Sequence, residues 1–225
     1  MVPYVCCVDN GPVPEFWTAK RIAGRLHRMV LAPLGFERRG TSSTRVDGGL
    51  ERSIRFYGLT ALPLPAPPQV QMIVSVTLAG LPEAVTEYRR DCLWGWPQTA
   101  SGYLYPRPRS DEDLRDDLVA DVSGPAVEFL LRATKLDEFV LWAQEIYEGD
   151  PHRGWWGRFR PVFPQGSAPL QAAAFAAALA GDGAGCDRLA DRVVALERDD
   201  DRERDDFQRE LHRVHPRPAL DTTNP

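Results

Sequence analysis

Residues Leu26–Thr60 read LHRMVLAPLGFERRGTSSTRVDGGLERSIRFYGLT, and three signals in this stretch decide the fold. Leu26–Leu31 closes an amphipathic helix. Pro33-Leu34-Gly35-Phe36 makes a tight exit, because proline forfeits a helical hydrogen bond and Gly35 can take the left-handed backbone of a helix cap. Two arginine-studded strands follow, Phe36–Val46 and Glu51–Leu59, joined at Asp47-Gly48-Gly49, a strong hairpin signal. In the second strand Ile54 and Phe56 fall on one face, with Ser53, Arg55 and Tyr57 on the other. That alternation fits an antiparallel sheet covered on one side.

Upstream, residues 1–14 form a proline-marked lead-in. Pro14 suits the first helical position, and Glu15 suits the positive end of the helix dipole. Phe16, Ala19, Ala23, Leu26 and Val30 then recur at helical steps, widened by Ile22 and Met29, while Lys20, Arg21, Arg25 and Arg28 fall mostly opposite. Downstream, Ala61–Pro68 (ALPLPAPP) is read as a stiff hairpin loop in preference to a ligand for an aromatic groove. Gln69–Gly80 is the most apolar strand and belongs in the middle of the sheet. Val70, Met72, Val74, Val76 and Leu78 face one way, and Gln71, Ser75 and Thr77 the other. Asp91–Pro108 is aromatic and irregular, with Ser101–Tyr105 as a candidate fourth strand.

Helices dominate the second half. Ser110 and Asp113 stand at capping-box spacing before Leu114, Leu118, Val119 and Val122, and Ser123-Gly124-Pro125 breaks that helix so that Pro125 opens the next. Thr134 and Asp137 cap a third, which buries Phe139, Trp142, Ala143 and Ile146. His152–Pro164 is read as a loop. An alanine-rich helix from Pro169 to Ala180 and a second with Leu189, Val193 and Leu196 make a hairpin. Residues 197–206 (ERDDDRERDD) lack any apolar position and are read as a solvated extension. The resulting division is a lead-in (1–14), an α+β domain (15–150), a loop or linker (151–168), a C-terminal helical hairpin or annex (169–216) and a disordered tail (217–225).

The composition bounds the function. With 43% hydrophobic and 26% charged residues over 225 positions, the chain is that of a globular protein able to bury a core. Net charge is −5, but residues 1–110 carry 13 basic and 8 acidic side chains, and residues 111–225 carry 14 and 24. Such a split steers a charged partner to one half, or lets the halves attract each other. The charge lacks the concentrated basic stripe of a duplex-binding protein, which argues against nucleic acid. No apolar run is long enough to span a bilayer. Vicinal Cys6-Cys7, with Cys92 and Cys186, suggests no disulfide framework. The expectation is a reduced, cytoplasmic protein without a membrane segment.

Motifs for catalysis and cofactors are missing. There is no nucleophile elbow, no phosphate-binding glycine loop and no cofactor fingerprint. His212 and His215 lie on one helical face near Glu210 but lack an identifiable third ligand, so no metal is expected. The better candidates are Arg55 and Tyr57 on the strand face, with Trp94, Trp96, Trp155 and Trp156 in glycine- and proline-rich loops. Arginine and tryptophan dominate binding hot spots and read anionic or planar groups. The blander account is that the loop tryptophans plug the open end of the sheet.

Leu31-Ala32-Pro33-Leu34-Gly35-Phe36-Glu37-Arg38-Arg39-Gly40 resembles the helix-to-strand turn of a bacterial family catalogued as domain of unknown function 4304. Arg52–Tyr57 and Gln71–Thr77 resemble its following strands, so the resemblance covers residues 15–150. Ser-Ile-Arg-Phe-Tyr stands where that family usually has a Val/Asn/Gln-rich strand, and the proline-rich loop is longer. The resemblance implies no catalytic residues; some members look like immunity-type proteins encoded beside toxins, which implies a binding role.

The reading is therefore an α+β fold: an antiparallel sheet of three to five strands covered by helices, with a C-terminal helical hairpin. The functional expectation is a non-enzymatic binding protein, immunity-like, that recognises a protein or acidic partner. The alternative is an enzyme or binding protein for a small anionic or planar ligand in an Arg/Tyr/Trp-lined pocket. A homo-dimer through the alanine-rich hairpin is a third possibility.

Overall fold

The computed structural model describes residues 15–59, 68–81, 93–97, 104–114, 118–149, 159–162, 166–197 and 200–216. The lead-in, the tail, residues 61–67 of the proline-rich loop, and Trp155 and Trp156 lie outside the described residues.

The helix expected from Pro14 starts later. Thr18 is its N-cap, with Oγ1 accepting from the Arg21 amide at 3.3 Å, and α1 spans Ala19–Leu26. Residues 15–18 instead run alongside the chain before the next helix, where the Trp17 amide donates to the Pro108 carbonyl at 2.8 Å. The helix continues as a π turn, His27–Leu31, and a 3-10 turn, Ala32–Leu34, so that Pro33 sits inside a tightened last turn rather than beyond the end. Gly35 then adopts φ 79°, the left-handed cap that only glycine takes without cost, and Phe36 turns into the core at 4% exposure.

The segment read as one strand folds back on itself at Gly40. It yields β1 (Glu37–Arg39) and β2 (Ser42–Asp47), which pair antiparallel. The alternation that marks a strand carries no mark of a turn when the turn residue is a lone glycine among polar neighbours. β3 (Leu50–Leu59) and β4 (Gln69–Leu78) form the longest ladder, ten pairs from Leu50↔Leu78 to Leu59↔Gln69. Beyond β4 lie β5 (Leu93–Pro97) and β6 (Leu104–Pro106), which occupy different stretches of the same β4 edge, and β7 (Phe159–Val162) pairs with β5. The sheet is entirely antiparallel, in the order β1-β2-β3-β4-β5-β7. β7 corrects the reading of His152–Pro164 as loop throughout. Its Pro161 pairs opposite Gly95 at the end of the described sheet, where a missing amide donor leaves no central ladder bond unmade.

One face of this sheet is the core. Leu50, Ile54 and Phe56 of β3 and Val70, Met72, Val74, Val76 and Leu78 of β4 are buried there. α1 packs across β3, and α3 (Val127–Leu130) packs on β4. Ser110 does cap α2 (Asp111–Leu114): the Asp113 amide donates to Ser110 Oγ at 3.1 Å, and Asp113 Oδ2 accepts from the Ser110 amide at 3.2 Å. The expected break at Ser123-Gly124-Pro125 is instead a π turn, Val122–Ala126, running directly into α3. The wider turn accommodates the proline that a regular helix would reject. α4 (Leu136–Glu148) is also capped differently from expectation. Glu138, not Asp137, reaches back to the Thr134 amide and hydroxyl, both at 2.8 Å, while Asp137 pairs with Lys135.

Tyr105 of β6 and Asp121 bring a polar pair into this core. The phenol donates to Asp121 Oδ2 at 2.7 Å, and both residues are buried. Tyr105→Phe is expected to lower stability by about 1–2 kcal/mol, because it strips a buried carboxylate of a donor; a urea unfolding curve checks it.

The C-terminal helices form part of the same core. α5 (Ala168–Leu179) is buried on every side from Pro169 to Ala177, packing on α4, on α6 (Gly183–Leu196) and on α7 (Asp201–Val214). An apolar, alanine-rich helix without a polar face is what a central position requires. The acidic run corrects a further expectation. Asp200 caps α7 by accepting from the Glu203 amide at 3.0 Å, and Asp201 and Glu203 lie in the first turn, where acidic groups suit the dipole. Phe207 and Leu211 then anchor the helix, with the Phe207 ring edge-on to Phe175 at 5.9 Å.

Candidate functional site: the open face of the sheet

The second face of β3 and β4 is polar. Glu51, Ser53, Arg55 and Tyr57 alternate with the buried residues of β3, and Ile73, Ser75 and Thr77 do the same on β4. Together with the turn after β4 they line a groove of about 420 Å3. The hairpin register sets its rows. Ser42 pairs with Arg39 on one side and Arg55 on the other, and Arg55 pairs with Ile73. A row of Arg39, Ser42, Arg55 and Ile73 thus crosses four strands.

Arg55 is held rather than free. Its Nε donates to Ser42 Oγ at 2.8 Å and its Nη1 to the Tyr57 hydroxyl at 3.0 Å, with the guanidinium 5.9 Å from the centre of the Tyr57 ring. A tethered arginine has lost most of its rotamer freedom before binding, which lowers the entropic cost of gripping an anion. One row away, Ser53 Oγ and Ser75 Oγ share a hydrogen bond of 2.8 Å across the ladder. The two hydroxyls make a neutral floor with one donor to spare.

Trp94 and Trp96 are in β5, not in a loop. Trp94 pairs with Ser75, whose other partner is Ser53, and Trp96 pairs with Arg160 of β7. Two strand spacings place the Trp94 backbone on the order of 10 Å from that of Ser53. The sequence reading therefore brings Arg55, Tyr57 and the backbone of Trp94 to one region of the sheet, while Trp155 and Trp156 fall outside the described residues. It missed Ser42 and Arg39. A signal was present: the turn at Gly48-Gly49 makes Asp47 and Leu50 partners, and counting outward pairs Ser42 with Arg55.

Arg52 was the larger omission. It lies on the buried face at 1% exposure, where its guanidinium meets the Asp47 carboxylate and Nη2 donates to the Ala133 carbonyl at 2.7 Å. Arg45 holds the same carboxylate, with Nε to Oδ2 at 2.7 Å, and reaches the Leu34 carbonyl at 2.9 Å. Burial raises the Asp47 pKa, but the Arg45 hydrogen bond and the charges of Arg52 and Arg45 outweigh it, so the carboxyl titrates below its ordinary range. This cluster ties the helix exit, the hairpin tip and the lead into α4 together. It is a structural knot, in which Arg52 is buried while Arg45 and Asp47 stay partly exposed at the hairpin tip.

No protein-family model, curated protein or solved structure matches the chain.

Proposed function

We propose that the chain is a non-enzymatic binding protein that recognises an acidic partner protein through the open face of β3 and β4. The observation that carries this reading is the preset Arg55, bonded to Ser42 and Tyr57 and in register with Arg39. Two guanidinium-bearing positions and a phenol on a broad, half-exposed sheet suit a carboxylate-rich surface. The ionisable groups lining the groove are Glu51, Arg55 and Tyr57, and of these Arg55 is the cation that an acidic partner would meet. The resemblance of Leu31–Gly40 to a family with immunity-type members supports the narrower immunity-like form.

The second reading is a small anionic or planar ligand, because the groove falls within the volume range of ligand pockets. Affinity capture with the wild type and with Arg55→Ala separates these outcomes. A protein partner lost on Arg55→Ala and weakened by salt supports the proposal. Retention of the same partner by Arg55→Ala contradicts it, and a small molecule released on denaturation supports the second reading. Arg55 is exposed, so the variant's thermal midpoint should stay within about 2 °C of the wild type.

A further inference from the structure

On the opposite side of the sheet edge a second arginine pair meets without an acid. Gly24 lies on α1 with Lys20 one turn before it and Arg28 one turn after. Arg38 Nη1 stands 2.9 Å, and Arg28 Nη1 3.8 Å, from the point a Cβ on Gly24 would occupy. Two guanidinium heads therefore share the space left by one missing side chain. Arg38 is steered there by donating to the Gly40 carbonyl at 3.2 Å and the Lys20 carbonyl at 3.5 Å. The Arg28 side chain has no hydrogen bond or ion pair among the described residues. The nearby acid on the α2 side, Asp111, is occupied by Arg25 through contacts of 2.8 and 3.3 Å. His27 lies beside the pair, its Nδ1 3.1 Å from Ser43 Oγ.

We propose that Arg28 and Arg38, over the floor left open by Gly24 and flanked by Lys20, form a binding site for a phosphate-type oxyanion. Like charges brought together repel, and an anion between them turns that repulsion into two charge-assisted contacts. Two forked guanidinium groups offer more donors than one carboxylate has oxygens, and a dianion matches their combined charge, which favours phosphate over carboxylate. This site is independent of the Arg55 face. Arg38 pairs with Ser43 and hence with the buried Ile54 row, whereas Arg39 pairs with Ser42 and Arg55.

His27 supplies the readout. Burial, then the charges of Arg38 and Arg28, hold its pKa below the ordinary histidine value. The groups facing it are Arg28 on its own turn, Arg38 on β1 and Ser43 on β2. An anion between the arginines offsets both charges, so inorganic phosphate should move the His27 NMR titration midpoint up by roughly half a pH unit or more. Chloride at equal ionic strength should leave it in place, and acetate should move it less. His27→Gln identifies the resonance among the four histidines. In Arg38→Gln and Arg28→Gln the midpoint should start higher, and phosphate affinity should fall by about tenfold or more. Gly24→Ala pushes aside only the end of the Arg38 side chain, so it should weaken the phosphate response without lowering the thermal midpoint. Arg55→Ala should retain the full response. An equal shift with chloride or acetate, an unchanged response in both arginine variants, or its loss in Arg55→Ala overturns the proposal.

Discussion

Gly48→Ala is expected to destabilise the fold by on the order of 3–5 kcal/mol, from left-handed strain and overpacking together. Gly48 has φ 57°, where a Cβ is strained before any neighbour is considered. That Cβ would also stand 2.0 Å from the Thr134 carbonyl oxygen, a backbone atom that cannot swing aside as a side chain can. The tip of the β2–β3 hairpin is seated on the segment that leads into α4, and relieving the clash means lifting one off the other. Gly40→Ala is the internal control: its φ of 62° is similar, but nothing lies within 4 Å of the added carbon. It should cost about 1–2 kcal/mol for backbone strain alone. Urea unfolding of the two variants measures the difference, and equal losses would mean that the hairpin tip does not bear on α4.

The second large effect is at Asp47. Removing its carboxylate by Asp47→Ala leaves Arg52, 1% exposed, with an unbalanced charge inside the core. Breaking a fully buried pair costs about 3–5 kcal/mol, but Asp47 itself is 38% exposed and water replaces part of what is lost, so about 2–4 kcal/mol is expected. Arg52→Met in the Asp47→Ala background should restore much of it, since an apolar side chain of similar length needs no counter-charge. The pH dependence has a definite sign. The folded Asp47 pKa is lowered from an ordinary value near 3.8, so its stabilising contribution is complete above about pH 4 and is lost as pH falls through the folded value. Asp47→Asn should flatten that acid limb of the stability curve. An unchanged limb would mean that the pair is not coupled to folding.

What was legible in the sequence follows from which forces act locally. The alternation of β3 and β4, the glycine pair of their upstream hairpin, the left-handed exit at Gly35 and the cap at Ser110 all depend on neighbours within a few residues, and each reads directly. Arg52 shows the opposite case. Its place on the buried face follows from the same alternation as Ile54, but a charged residue is assigned inward only when its partners are known, and one of them, the Ala133 carbonyl, is distant in sequence. β7 was hidden by Pro161, which is acceptable only because that strand ends the described sheet. The helical character of residues 201–206 was hidden because their apolar anchors, Phe207 and Leu211, come after the charged run. Of the candidate site, Arg55 and Tyr57 were legible as an exposed pair on one strand face. Ser42 and Arg39 needed the register, and the oxyanion site needed α1 and β1 placed side by side.

The central claim is that the open face of β3 and β4 is the working surface. Hydroxyl-radical footprinting of the protein, free and bound to its captured partner, tests it at Tyr57, which is 38% exposed on that face, against Met29, 38% exposed on the helical turn after α1. Binding through the sheet predicts strong protection of Tyr57 with Met29 labelled as before; protection of Met29 with Tyr57 unchanged would contradict it.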